Sequence, residues 1–304
     1  MENKERLNGL VAATFTPMRS DGSIDCPAIV PYAQHIAEHG IEGVFVCGTT
    51  GEFASLTINE RKTILEHWVK AADGRFKVIA HVGSNSQQEA ILLASHAANV
   101  GAWGIASIAP SFFKPATVGE LVAFFTPVGA AAPTLPFYYY NMPAMTGVDL
   151  PVPRFLEEGR KVMPNLAGVK YTHNNMMEMA ECIHLNNGAF EVLHGYDETL
   201  LCGLSLGVVA GVGSTYNYLS PVYHGIIEAV RENELEKAQQ LQMRSIEVVK
   251  IIIRYGGGVR GGKAIMNLIG IECGGCRLPL SPFTHQETDA LRHDLEQIGF
   301  VIKQ

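Results

Sequence analysis

Short apolar runs alternate with helix-forming segments along most of this chain, and that alternation limits the fold more than any other feature of the sequence. The runs fall at residues 11–15, 43–47, 77–82, 104–108, 135–140, 166–170, 191–194 and 208–212. They are largely uninterrupted stretches of Val, Ile, Leu, Ala, Phe and Tyr, without the in–out alternation of a half-exposed strand. Strands buried on both faces read this way, which points to a parallel sheet covered by helices. The intervening segments carry helix signals. A helix starts near Pro27 and stops at Gly40. Thr57 with Glu60 and Thr117 with Glu120 fit capping boxes, and Ser86 with Glu89 caps another helix ending at Gly101. Shorter helices are expected over 153–160 and 200–206.

Eight such units in about 215 residues fit a closed barrel better than an open doubly wound sheet. No GxGxxG follows the first run, which weakens the dinucleotide-binding alternative. The expected fold class is therefore α/β, a (β/α)8 TIM barrel over residues 1–220. Beyond residue 220 the pattern becomes all-helical, over 221–231, 234–255, 261–269 and 286–298. With no long polar linker before it, the segment 221–304 reads as a C-terminal helical extension packed on the barrel.

Composition narrows the possible partners. A formal net charge of −7 over 304 residues argues against a nucleic-acid ligand, which calls for clustered Lys and Arg. No window reaches the ~18 uninterrupted apolar residues of a membrane span. The N-terminus has no apolar stretch after its first charges, so no secretory signal is expected. The six cysteines are scattered, as reduced thiols of a cytoplasmic protein would be. Cys273-Gly274-Gly275-Cys276 lacks both the thioredoxin-like context and the further ligands that would make it a redox or zinc site. The histidines show no ligand spacing: His35 and His39 sit on an outer helix, and His81 and His194 lie in separate strands. A metal-dependent reaction is disfavoured.

In a barrel of this kind chemistry gathers at the C-terminal ends of the strands. There the sequence places Gly48-Thr49-Thr50-Gly51-Glu52, Tyr140-Asn141-Met142-Pro143, Lys170-Tyr171-Thr172, Gly195-Tyr196-Asp197-Glu198 and Gly213-Ser214. Lys170 closes an apolar run. At an ordinary pKa near 10.4, only roughly one lysine in 2,500 is neutral at pH 7. Desolvation at the barrel mouth would lower that pKa and free the amine to attack a carbonyl as an imine-forming nucleophile. A lysine snorkelling at a strand end is the structural alternative. Tyr140, on a strand ~4.8 Å away, can shuttle a proton to a substrate hydroxyl, or it can simply stack in the core with Tyr138 and Tyr139. Thr49 and Thr50 offer hydroxyls and flexible amides as a carboxylate cradle, or form a plain glycine-rich turn. Asp197 and Glu198 suit a polyhydroxylated ligand, although acids also favour a helix start for structural reasons.

Taken together, Gly48-Thr49-Thr50-Gly51-Glu52, Tyr140-Asn141-Met142-Pro143, Gly168-Val169-Lys170 and Arg277-Leu278-Pro279-Leu280 resemble the dihydrodipicolinate synthase / N-acetylneuraminate lyase family over nearly the whole chain. The resemblance implies that Lys170 is the Schiff-base lysine and Tyr140 the proton-transfer tyrosine. It further implies that Thr49 and Thr50 hold the carboxylate of a pyruvate unit, that no cofactor is needed, and that the protein is a homotetramer. Between branches, Met145 stands where the synthases carry an arginine. Lys170-Tyr171-Thr172, Gly195-Tyr196-Asp197-Glu198 and Gly213-Ser214 resemble the sugar-binding set of the lyases. That implies contacts from Thr172, Gly195, Asp197, Glu198 and Ser214 to a hydroxylated tail. The expected activity is reversible aldol cleavage of the sialic acid N-acetylneuraminate to N-acetylmannosamine and pyruvate. The alternatives are a 2-keto-3-deoxy sugar acid aldolase, a 4-hydroxy-tetrahydrodipicolinate synthase and a non-catalytic keto-acid or sugar-acid sensor. Ser111-Phe112-Phe113-Lys114 departs from relatives that place an intersubunit tyrosine there.

Overall fold

The structure, a computed structural model, describes residues 6–300. Residues 1–5, on which the expectation of no secretory leader partly rests, and residues 301–304 lie outside it. The strands β1 (Gly9–Ala13), β2 (Gly43–Val46), β3 (Lys77–His81), β4 (Gly104–Ile108), β5 (Phe137–Asn141), β6 (Leu166–Tyr171), β7 (Glu191–His194) and β8 (Ala210–Gly213) pair in parallel, each with the next. β8 returns to β1, with Gly9 opposite Ala210, and closes the barrel.

The continuous apolar runs now divide between two cores. Val11, Phe45, Ile79, Ala106, Tyr138 and Tyr140 point inward and fill the barrel. Their neighbours Leu10, Val44, Val78, Ile105, Tyr139 and Val169 point outward under the helices. The tyrosine triplet of β5 splits the same way, because successive side chains alternate faces. Tyr139 packs at 4.7 Å from the Phe155 ring outside. Tyr138 and Tyr140 stay inside.

The outer layer runs α1 (Ile29–Glu38), α2 (Ile58–Ala72), α3 (Gln87–Asn99), α4 (Val118–Ala130), a single turn α5 (Pro143–Thr146), α6 (Val152–Val162), α7 (Met176–His184), α8 (Leu200–Ser205) and α9 (Tyr216–Arg231). The capping boxes at Thr57/Glu60 and Thr117/Glu120 are formed in full. Ser86 accepts from the Glu89 amide, whereas the Glu89 carboxylate turns to the Ser84 hydroxyl at 2.7 Å.

Some boundaries differ from the sequence expectation, and each difference has a local cause. β5 starts at Phe137, two residues late, because Pro136 has no N–H to give the ladder. The helix α7 was not anticipated; its signal is Asn175, whose side chain accepts from the Glu178 amide. α9 begins at Tyr216, ahead of the expected Pro221, and bends at Leu219 (φ −129°) just before that proline. Residue 220 therefore falls inside α9, which packs on β1 as well as on the following helix.

That helix is α10 (Leu235–Arg254), followed by α11 (Gly257–Leu268) and α12 (His285–Gln297). Buried charge ties this segment to the barrel mouth. Lys263 of α11 donates to Glu52 Oε1 at 2.8 Å, and both side chains are almost fully buried. Glu52 Oε2 accepts the Arg277 amide at 3.0 Å, while the Arg277 guanidinium donates to Glu60 and to the Ser55 carbonyl. The Arg277-Leu278-Pro279-Leu280 motif thus clamps the loop that follows β2.

Candidate active site

Lys170 and Tyr140 are register partners on adjacent strands, so both side chains project into the barrel. The Lys170 Nζ lies 4.0 Å from the Tyr140 ring centroid and 4.3 Å from that of Phe45. The residue is only 5% exposed. Two ring faces attract the ammonium form. Loss of hydration outweighs them and pulls the pKa down to about 7, with Asp197 the one charge pulling it back up. Near neutral pH a large fraction of this amine is therefore unprotonated.

Burial has the opposite sense for the phenol. Tyr140 is pushed up to about 12, with the Thr49 hydroxyl drawing it back, so it enters as a proton donor. Its Oη lies 3.2 Å from Thr49 Oγ1. Thr49 and Thr50 follow Cys47, which has a positive φ of 54° and whose carbonyl is held by His81 Nδ1 at 2.8 Å. Arg61, also buried, donates to the carbonyls of His81 and Gly83 and fixes the histidine from behind. The amides of Thr49 and Thr50 make no backbone hydrogen bond among the described residues and remain available to an anion.

Across the mouth, Asp197 is buried and accepts at Oδ2 from the Thr215 amide (2.7 Å) and the Thr215 hydroxyl (2.6 Å). Desolvation raises its pKa to about 6 against those two donors. Two glycines make this corner possible. A Cβ on Gly213 would sit 1.8 Å from Asp197 Oδ1, and one on Gly195 would sit 1.9 Å from Thr172 Oγ1. Thr172 Oγ1 is close enough to Tyr140 to lower its pKa, yet among the described residues it makes no well-aligned hydrogen bond and is left for a ligand.

Lys170, Tyr140, Thr49, Thr50, Thr172, Gly195, Asp197, Glu198 and Ser214 all line one cavity of about 280 Å³. Every candidate residue read from the sequence thus faces the same space. Sequence reasoning missed the opposite wall, made by Val249, Ile252 and Ile253 of α10 and by Gly258 and Val259 of α11. The available signal was the run Ile251-Ile252-Ile253, apolar on faces that a surface helix leaves polar. Two larger clefts of about 570 and 1070 Å³ lie elsewhere and hold none of these groups.

The remaining reactive side chains are spent structurally. His194 Nε2 meets the Thr199 hydroxyl at 3.0 Å, and burial lowers its pKa to about 4. The His35 and His39 rings pack against each other, tilted by 37° with their centroids 4.1 Å apart. Among the described residues no cluster of three His, Cys, Asp or Glu is arranged for a metal ion. Cys273 and Cys276 are buried free thiols pushed up to about 12 and 11, which makes them poor nucleophiles. Cys202, by contrast, is exposed. No helix among the described residues is long and apolar enough to cross a membrane.

A (β/α)8 barrel that gathers an amine of lowered pKa, a phenol, carboxylates and a hydroxyl cradle at its C-terminal face defines a protein built around a small, polar carbonyl ligand. The chain belongs to the Dihydrodipicolinate synthetase family, which it matches over residues 6–298. It is 42% identical over 302 residues to the N-acetylneuraminate lyase of Gallus gallus, covering 98% of each chain. The solved Proteus mirabilis N-acetylneuraminate lyase superposes with a TM-score of 0.94 at 35% identity, covering 98% of this chain and 100% of that one. A Ruminococcus gnavus sialic acid aldolase, solved as a catalytic lysine mutant, gives 0.92 at 26% identity, with 98% and 97% covered.

Proposed function

We propose that this chain is a class I aldolase that cleaves N-acetylneuraminate reversibly to N-acetylmannosamine and pyruvate. The carrying observation is the Lys170 amine, buried against Tyr140 with its pKa lowered to about 7 in a cavity lined by the Thr49/Thr50 cradle and Asp197. The likeness to N-acetylneuraminate lyases supports the choice of substrate, and the Ruminococcus gnavus relative is itself described by a catalytic lysine.

The geometry supports the following order of steps. Lys170 Nζ adds to the C2 ketone of the open-chain sugar acid, Tyr140 gives its proton to the departing hydroxyl, and loss of water leaves a protonated imine beside the phenolate. Thr49 and Thr50 hold the adjacent carboxylate and fix the ketone for attack. The iminium charge that forms beside the Tyr140 ring favours the phenolate at the step where a base is required. The C4 hydroxyl proton passes by way of the substrate carboxylate to Tyr140 as the C3–C4 bond breaks. The electron pair of that bond flows into the iminium and leaves an enamine with free N-acetylmannosamine. Proton return to C3 and hydrolysis of the imine release pyruvate. Thr172, Gly195, Asp197, Glu198 and Ser214 contact the hydroxylated tail. By family resemblance the assembly is a homotetramer, and the scattered cysteines support a reducing, cytoplasmic location.

Incubation with pyruvate and borohydride, followed by peptide mass spectrometry, is expected to leave the reduced adduct on Lys170; folded protein without that adduct would rule out the aldolase reading and favour a sensor. Tyr140→Phe is expected to keep the adduct while kcat for cleavage falls ~10²–10⁴-fold, the usual worth of a positioned acid–base group. Pyruvate release from N-acetylneuraminate compared with 2-keto-3-deoxy sugar acids separates the two aldolase readings. Condensation of pyruvate with aspartate semialdehyde tests the synthase reading, which the exposed Met145 does not favour.

A further inference from the structure

Behind Asp197 lies a buried line of hydroxyls that the aldol chemistry does not use. Thr215 Oγ1 stands 2.6 Å from Asp197 Oδ2 and 2.6 Å from Tyr223 Oη. A hydroxyl has one proton to give. With the Thr215 proton committed to the carboxylate, Tyr223 must donate to Thr215, so the bonds run in one direction, from α9 toward the barrel mouth. The α10 helix closes the other side. Gln242 Nε2 donates to the Asp197 carbonyl at 3.2 Å and to Ser245 Oγ at 2.6 Å, while its Oε1 accepts the Leu201 amide at 2.9 Å. Asp197 Oδ1, by contrast, has no hydrogen-bond partner among the described residues, and it borders the space left by the missing Cβ of Gly213.

We propose that Thr215 and Tyr223 are positioning residues: their relayed hydroxyls lock one oxygen of Asp197 as an acceptor and leave the other facing the cavity for a hydroxyl of the substrate tail. This rests on the aldolase reading and deepens it. Selectivity for a polyol end is then set partly by the helices outside the barrel. The groups that act on Asp197 are Lys170 from β6, which favours its anion, and Glu198 beside it in the chain, which opposes it. Tyr140 of β5 and Tyr216, Tyr218 and Tyr223 of α9 also face it, but burial raises the pKa of each phenol and keeps it neutral in the free protein. The Thr215 hydroxyl is therefore the removable part of what keeps this buried carboxylate charged.

The test uses full-length protein carrying carbon-13-labelled aspartate, with the Asp197 resonance assigned by its loss in Asp197→Asn. Thr215→Val, which conserves shape and removes the hydroxyl, is expected to raise the Asp197 titration midpoint by about one pH unit. KM for N-acetylneuraminate is expected to rise ~10-fold with kcat within ~2-fold of the parent. Thr215→Ser restores both, and Tyr223→Phe shifts the midpoint by a smaller amount in the same direction. An unchanged midpoint in Thr215→Val, or no rescue by serine, overturns the proposal; a merely structural role would lower the melting temperature without moving the titration. Should Thr215→Val not fold, Tyr223→Phe gives the same readout and decides the case by whether the midpoint moves. Failure of the aldolase reading is separately visible as no pyruvate adduct in the parent protein, and the carbon-13 titration still judges the hydroxyl relay.

Discussion

Replacement of Lys170 by methionine is expected to abolish imine formation and at the same time stabilise the fold. With no amine, pyruvate and borohydride leave no adduct, and cleavage falls by ~10⁴-fold or more, since no other nucleophile lines the cavity in a comparable state. The stability effect follows from linkage. Lys170 has its pKa lowered from 10.5 to about 7 on folding, so between those values the unfolded chain binds more protons than the native one. Stability contributed by this group therefore rises as pH rises from 7 toward 10, and at pH 6–7 the native state bears the cost of a desolvated ammonium. Removing that charge while keeping an unbranched apolar chain among Phe45 and Tyr140 should add on the order of 3 kcal/mol at pH 6.5, and less at pH 9. Denaturant melts of the two proteins at both pH values check this. Equal stability at both would mean that Lys170 is well solvated in solution, and the case for a free amine near neutral pH would fall with it.

The second large effect is structural. Glu52→Gln leaves Lys263 nearly fully buried without its counter-charge. Breaking a buried pair from one side costs about 3–5 kcal/mol. The loss has a further consequence here, because Glu52 also receives the Arg277 amide and sits in a left-handed conformation (φ 58°) at the end of the Thr49/Thr50 loop. Thermal unfolding is expected to drop by several degrees, on the order of 2 °C per kcal/mol for a chain of this size. KM for pyruvate should rise as the cradle loosens. The double variant Glu52→Gln with Lys263→Met, which removes both charges, is expected to recover most of the lost stability. A double variant no more stable than the single one would show that the pair is not what holds the loop.

The sequence by itself determined the strand order and the short list at the strand ends. Both rest on local physics: a strand buried on both faces must be apolar throughout, and a polar residue that ends such a run must face either the cavity or solvent. Lys170, Tyr140, Thr49, Thr50 and Asp197 were legible for that reason. So was the α2 start at Thr57, since a capping box is complete within four residues. The start of α9 was not legible, because a kink at Leu219 lets one helix run through a position where Pro221 suggested a beginning.

Only the tertiary structure decided which tyrosines of the triplet face inward, because the register of β5 is set by Gly168, Val169 and Lys170 on the neighbouring strand. It alone brought Ile252, Ile253 and Val259 over the barrel mouth, and Glu52 to Lys263 across 211 residues. It also lowered the Lys170 pKa, because desolvation is a property of everything packed around an atom and of no single stretch of chain. Residue types and strand periodicity are local and can be read in order. The closing of the barrel, the wall contributed by α10 and α11, and the charge state of the amine arise from contacts between distant segments.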